Sequence, residues 1–310
     1  MANFLCICLS STLQRTVSFN KVELTKVNRS EKYRQDVSGK AINTARVLNQ
    51  LKKGCVHSIC PIGKENQELF IKLAQKEKLN MTCIPIPGFT RECWTILDKT
   101  NHTTTELVVS EPEIKNESYI LKAQNKLLKE IKKRINHVDA VILAGSRPGI
   151  WSKNLYGKIS KLTKDKNKIF LADYTGLDME LSLKEAIPSI IKINDDEFIK
   201  TFMEDETSGG LNNSISQEQL KAKIIKVSEN LQNAIIVTRG IDSTFAALKG
   251  IFYECPAEKV DALNTTACGD SFNAGFIFEY VDSGNFEESL KKGTWCAARN
   301  AEREAPGPII

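Results

Sequence analysis

The chain has 310 residues, 26% of them charged and 41% hydrophobic, with a formal net charge of +5. That balance matches an ordinary globular enzyme and excludes disordered, collagen-like and coiled-coil classes. No apolar run reaches the roughly 20 residues that span a bilayer, and the apolar stretch 4–9 lacks a basic leader, so no membrane partner is expected and the cytoplasm is the expected compartment. Nine cysteines, at positions 6, 8, 55, 60, 83, 93, 255, 268 and 296, are odd in number, scattered and never spaced C-x-x-C. This is the pattern of free thiols in a reducing environment. Three histidines leave Cys/His zinc chemistry little to work with. The modest net charge gives no reason to expect nucleic acid as a partner.

In chain order, residues 4–9 read as a first strand. Residues 14–37 depart from helix–strand alternation and read as hairpin or meander material. Ser38-Gly39-Lys40-Ala41-Ile42-Asn43 then opens a helix that Gly54 closes. Lys40 and Asn43 are three apart and share a face of its first turn, where they could meet an anionic or hydroxylated ligand; capping beside a solvated lysine is the alternative. Residues 91–109, where Trp94, Ile96 and Leu97 precede a threonine-rich stretch, form a second meander. Neither meander can hold a core alone, and together they read as a small β-lid over one end of a sheet.

Residues 120–135 carry a helical stripe of Leu121, Leu128, Ile131 and Ile135 with Leu127 beside it, interrupted at Gln124, while the lysines form a solvated face. Beyond it, the runs 140–144, 168–172, 189–193 and 234–238 are β-branched and alternate with helical segments. Strands without polar alternation are buried on both faces, so the expected fold class is α/β, with a mostly parallel sheet between two helical layers. No internal repeat or linker interrupts it, and residues 1–310 read as one domain.

Ligands of such sheets gather beyond the carboxyl ends of the strands. There this chain places Gly145 and Ser146, Asp173, Lys192 with Asn194, and Thr238-Arg239-Gly240, which points to one shared cleft. The richest stretch is Asn264-Thr265-Thr266-Ala267-Cys268-Gly269-Asp270, followed by a helical pattern carrying Phe272, Phe276, Ile277 and Tyr280. Free amides of a first helical turn can face a phosphate. An acid there is often only compensation for the helix dipole. A carboxylate beside an anion is costly, however, unless it takes a proton from an attacking hydroxyl, so kinase chemistry is the sharper reading. A dinucleotide-binding dehydrogenase is disfavoured because no G-x-G-x-x-G follows the first strand.

At this point the residues resemble a family. "SGKAINTARVL" at 38–48 and "NTTACGDSFNAGF" at 264–276 are similar to the two signature motifs of pfkB-type, ribokinase-like carbohydrate kinases. "TREC" at Thr90, "LAGSRPGI" near Gly145, "KINDDEF" near Lys192 and "VTRG" near Gly240 follow in the family's order. The first motif, the Arg91 segment and "TTTEL" around Glu106 resemble the branch containing 1-phosphofructokinase and tagatose-6-phosphate kinase.

The resemblance implies a ribokinase-like three-layer α/β/α fold and transfer of the γ-phosphoryl group of ATP, with Mg²⁺, to a phosphorylated ketohexose. It implies Asp270 as general base and the amides of Ala267, Cys268 and Gly269 as an anion hole. Asn194 and Glu197 would hold Mg²⁺ through water. Lys192, Asn194, Thr238, Gly240 and Asn300 would serve the nucleotide, and Gln14, Ser38, Gly39, Lys40, Asn43 and Arg91 the sugar phosphate, with Arg29 a further cation.

Departures from the family pattern fall at Gln14, in place of an aspartate that grips sugar hydroxyls, at Ser38 and Ala267, each in place of glycine, at a shortened loop carrying Arg147, and at Ser243. Ala267 carries a Cβ, so right-handed backbone is expected there. Phosphorylation of a neutral sugar or nucleoside, and a sensing protein without turnover, are the alternatives. The exposed edge of the lid could pair two copies into a homodimer.

Overall fold

The computed structural model describes residues 2–111, 117–203 and 215–310. The first half of the chain runs through β1 (Phe4–Ile7), β2 (Thr12–Phe19), β3 (Lys32–Ser38), α1 (Lys40–Leu51), β4 (Val56–Gly63), α2 (Gln67–Lys76), β5 (Met81–Ile86), β6 (Arg91–Asp98), β7 (Thr103–Val108) and α3 (Glu117–Arg134). The second half runs through β8 (Ala140–Ala144), α4 (Leu155–Asp165), β9 (Ile169–Asp173), α5 (Gly176–Glu185), β10 (Ile190–Asn194), α6 (Asp195–Phe202), α7 (Gln217–Leu231), β11 (Ala234–Arg239), β12 (Asp242–Leu248), β13 (Ile251–Cys255), α8 (Cys268–Ser283) and α9 (Phe286–Ala301).

The central sheet has the order β13-β12-β11-β10-β9-β8-β1-β4-β5. It is parallel from β11 to β5 and ends in the antiparallel hairpin β12–β13. Period-two alternation divides its side chains between two cores. Along β1 and the two residues that follow it, Phe4, Cys6 and Cys8 join one core and Leu5, Ile7 and Leu9 the other. The first face is covered by α1, α2, α8 and α9, through Ile42, Phe70, Phe276 and Leu290. The second face is covered by α3 to α7, through Leu127, Ile159, Met179, Phe198 and Ile224. Each such side chain contributes about 1.5–3 kcal/mol when taken out of water. This is the three-layer α/β/α arrangement expected of the sequence.

The apolar stripe of α3 differs from the expected one. Ile120, Ala123, Gln124, Leu127 and Ile131 are buried, while Leu121 is 58% exposed. Gln124 does not interrupt the stripe but belongs to it, because its Oε1 accepts from the backbone N of Ser152 at 3.0 Å and its hydroxyl at 2.9 Å. A satisfied amide can be buried at little cost.

A second sheet, of order β3-β2-β6-β7, occupies the segments expected for the lid. Its inner side chains, among them Gln14, Thr16 and Thr95, are buried, whereas Tyr33, Leu107 and Val108 on β3 and β7 are more than half exposed. No helix among the described residues is long and apolar enough to cross a membrane.

Candidate active site

The carboxyl ends of β9, β10 and β11, the first turns of α1 and α8, and the inner face of the second sheet enclose a cavity of about 550 Å³. Of the residues singled out in the sequence for ligand, nucleotide or metal binding, Gln14, Ser38, Gly39, Lys40, Asn43, Arg91, Lys192, Asn194, Glu197, Thr238, Gly240, Ala267, Cys268, Gly269 and Asp270 all line it. Arg29, on the irregular segment between β2 and β3, does not. Nor does Asn300. It is fully buried behind the loop, donating from Nδ2 to Thr266 O at 2.8 Å and Cys268 Sγ at 3.3 Å, while its Oδ1 accepts from Gly307 N. Its amide is consumed in bracing the 264–268 turn, so the expected nucleotide contact is replaced by a structural one.

Local chemistry builds both helix starts. Gly39, which caps α1, has φ +128°, and a Cβ on it would lie 2.5 Å from Cys8 Sγ and 2.9 Å from Ser10 O, so only glycine fits. At α8, Asn264 Oδ1 accepts from Thr266 N at 2.9 Å, and Cys268 N donates to Thr265 O at 3.2 Å. The Cys268 amide is therefore spent inside the turn, contrary to its expected place in an anion hole. Among the described residues no backbone carbonyl accepts from Ala267 N or Gly269 N. Ala267 itself corrects the sequence expectation: its φ of 66° and ψ of 12° are left-handed. Gly269 leaves room for Lys192, whose Nζ would stand 2.7 Å from a Cβ at that position and would have to shift to admit one.

Asp270, in the first turn of α8, is 6% exposed and no ion pair engages it among the described residues. Its Oδ2 accepts from Asn43 Nδ2 at 2.8 Å. Burial, reinforced by the negative charge of Asp173, pushes its carboxyl up to about 6, against the opposing pull of Lys40, the Asn43 hydrogen bond and Lys192. Asp173 is held the other way. Its Oδ1 lies 2.8 Å from Lys40 Nζ, and its Oδ2 lies 3.5 Å from Lys192 Nζ and 2.6 Å from Asn273 Nδ2. Burial alone would raise it, but the two ammonium groups overturn that and bring it down to about 2. Two buried carboxylates with opposed shifts are how a site divides an acid–base role from an electrostatic one.

The cations expected to read a sugar phosphate are already engaged. Lys40 bridges Asp173 and Glu197 Oε1, the latter at 3.3 Å, and burial fails to lower its charge state because those two acids hold it up. Arg91 Nε donates to Thr12 Oγ1 at 3.0 Å and lies 3.1 Å from Glu111 Oε1. Gln14 Nε2 donates to Thr95 Oγ1 at 2.7 Å. Glu106, on β7, accepts from Thr266 Oγ1 at 2.7 Å, tying the second sheet to the 264–268 turn.

Asn194 and Glu197 form a capping box at α6: Asn194 Oδ1 accepts from Glu197 N at 2.7 Å, and Glu197 Oε2 accepts from Asn194 N at 2.9 Å. No group of three or more His, Cys, Asp or Glu side chains converges as a ready metal cage among the described residues. Glu106, Asp173, Asp195, Asp196, Glu197 and Asp270 nevertheless outnumber Lys40, Arg91 and Lys192 around the cavity. Hard oxygens in excess suit a nucleotide that brings a water-bearing divalent cation with it.

A cleft at the strand ends, faced by a small sheet and holding at a helix start a buried acid that no ion pair engages among the described residues, suits phosphoryl transfer. The chain belongs to the pfkB family of carbohydrate kinases, whose family pattern matches residues 4–309, and it is a sugar phosphotransferase. Its fold is similar to that of a protein described as a possible 1-phosphofructokinase from Thermotoga maritima, with a TM-score of 0.82, 18% identity, and coverage of 98% of this chain and 93% of that one. Phosphofructokinase-2 from Escherichia coli in complex with fructose-6-phosphate is similar at TM-score 0.81 and 14% identity, over 97% and 94% of the two chains. Ribokinase from Thermotoga maritima is similar at 0.71 and 17%, over 100% and 96%.

Proposed function

We propose that the chain transfers the γ-phosphoryl group of ATP to a hydroxyl of a phosphorylated ketohexose, with Asp270 as general base. One observation carries the reading: among the described residues Asp270 is the buried cleft acid that no cation pairs, raised to about 6 beside the amides of Ala267 and Gly269, from which no backbone carbonyl accepts there. A carboxylate in that condition can take a proton at physiological pH.

The acceptor hydroxyl gives its proton to Asp270 while its oxygen bonds to the γ-phosphorus, and the bond from that phosphorus to the β,γ-bridging oxygen breaks to leave ADP. The amides of Ala267 and Gly269 meet charge on the transferring group. Lys192, Thr238 and Gly240 contact the nucleotide phosphates, and Asn194 and Glu197 are the residues that would hold Mg²⁺. When bound, the ion neutralises charge on those phosphates. Gly39, Asn43 and Arg91 position the acceptor, and Lys40 keeps Asp173 and Glu197 neutralised beside it.

A neutral sugar is the second reading, favoured by the pairing of Lys40 with Asp173 and Glu197 and of Arg91 with Glu111. Coupled ADP release across fructose 1-phosphate, fructose 6-phosphate, tagatose 6-phosphate and free sugars decides between them. The first reading expects turnover confined to phosphorylated sugars and weakened by Arg91→Ala, and turnover of free sugars alone overturns it. The exposed Tyr33, Leu107 and Val108 make a second copy of the chain our proposed partner for the lid, which light scattering checks.

A further inference from the structure

Behind the cleft, the buried Arg46 on α1 is connected to the catalytic acid through one side chain. Arg46 is 6% exposed and does not line the cavity. All five of its N–H groups are accounted for. Nε donates to Glu77, and Nη2 donates to Glu77 at 3.3 Å and to Val37 O. Nη1 donates to Pro306 O at 3.4 Å and to Asn43 Oδ1 at 2.7 Å. Nothing remains to contact a substrate.

An asparagine amide has an acceptor end and a donor end of nearly the same shape, so its neighbours decide which way it faces. At Asn43, the Oδ1 end receives Arg46 Nη1 at 2.7 Å and Ser38 Oγ at 3.1 Å, which leaves Nδ2 to donate to Asp270 Oδ2 at 2.8 Å. Reversing the amide would set an oxygen against the Asp270 carboxylate and an NH₂ against the guanidinium. We infer that Arg46, held by Glu77, is a positioning residue that fixes the Asn43 amide with its donor end toward Asp270. The inference rests on the reading of Asp270 as base.

A donor on a carboxylate favours its ionised form. The other groups acting on Asp270 are Asp173 on β9, Lys40 on α1 and Lys192 on β10, with Cys268 beside it on its own helix; none of them hydrogen-bonds Arg46 among the described residues. Substitution of Arg46 therefore reaches Asp270 through Asn43.

The test uses Arg46→Lys, which keeps the charge but cannot span Asn43, Val37 and Glu77 together, and Glu77→Gln, which keeps the volume and loosens the guanidinium. Folding is verified by thermal melting. The acid limb of kcat/KM is expected to move up in pH in both, further in Arg46→Lys. At neutral pH kcat/KM is expected to fall on the order of 10-fold, the lower end of the loss seen when the hydrogen-bond partners that orient metal ligands are removed. In an Asn43→Ala background, Arg46→Lys should shift the limb no further. A limb at its wild-type position in either folded variant overturns the inference, as does an equal shift in the Asn43→Ala background. Asp270→Asn measured alongside separates the two readings: near-normal turnover there removes the base role itself, whereas an inactive Asp270→Asn with an unshifted Arg46→Lys removes only the role of Arg46.

Discussion

Asp173, at the end of β9, and Asp270, in the first turn of α8, are 1% and 6% exposed, yet their surroundings drive them apart. Around Asp173 two ammonium groups and an amide converge. Around Asp270 the described residues supply one amide, from Asn43, and no ion pair. Equal burial with unequal partners lowers one carboxyl to about 2 and raises the other to about 6. Burial sets the cost of charge, and the partner list decides whether that cost is met.

The most severe way to break the contrast is Asp270→Asn, which removes the acceptor and keeps the shape. Turnover is expected to fall by several orders of magnitude while nucleotide binding, measured by calorimetry, persists; near-normal turnover would refute the role. Stability should move the opposite way. The folded carboxyl is raised from 3.8 to about 6, so its protonated form stabilises the fold below about pH 3.8, and that contribution disappears as pH rises through 6. The ionised group costs on the order of 3 kcal/mol at pH 8. Asp270→Asn is accordingly expected to melt no lower than the parent at that pH.

Asp173→Asn attacks the other side. It leaves Lys192, whose side chain is 4% exposed, without its anion, and removal of one member of a buried pair costs about 3–5 kcal/mol. Denaturant unfolding should register that loss. Because Asp173 raises Asp270, the acid limb of kcat/KM should also move down in pH in this variant, opposite to the shift expected for Arg46→Lys. The wild-type limb should lie near pH 6. Asp173 is depressed to about 2, so its stabilisation is complete above its unfolded value near 3.8 and is lost only as pH falls through 2. The two acids thus act on stability in separate pH windows, which a melting series from pH 2 to pH 8 resolves.

The same contrast shows what a single sequence can carry. The α8 turn was legible because its signals are local: small residues, then an acid, then a helical apolar pattern. The pairing of Lys40 with Asp173, separated by 133 positions, was not, since no local pattern records which strand end faces which helix start. The Asn194–Glu197 spacing carried two meanings, and the structure shows the capping box that N-x-x-E at a helix start also spells. Among strands, β8 to β11 stood out as unbroken apolar runs. β4 and β5 were missed because Pro61 and Pro85 disguise them. Pro61 lies beyond the stretch of β4 that pairs with β1, and Pro85 is on an edge strand, so neither breaks the ladder. The hairpin β12–β13 turns on Lys249 and Gly250, both at positive φ, and lysine does not announce such a turn.

The smallest expected effect tests the backbone that presents Asp270. Ala267 holds φ 66°, where a Cβ crowds the following carbonyl at a cost of about 1–2 kcal/mol. Glycine would relieve that strain but also enlarge the freedom of the unfolded chain, which offsets about 0.4–1 kcal/mol. The balance favours Ala267→Gly by less than about 1.5 kcal/mol, measurable as a small rise in unfolding midpoint. Activity should respond differently, because the turn is already fixed by Asn264 and Asn300 on either side of it. With the Ala267 and Gly269 amides held in place by those braces, kcat should change by less than about threefold, roughly 0.6 kcal/mol of barrier. A gain in stability with a large loss of turnover would mean that the methyl group itself, and not the left-handed turn, positions the amides next to Asp270.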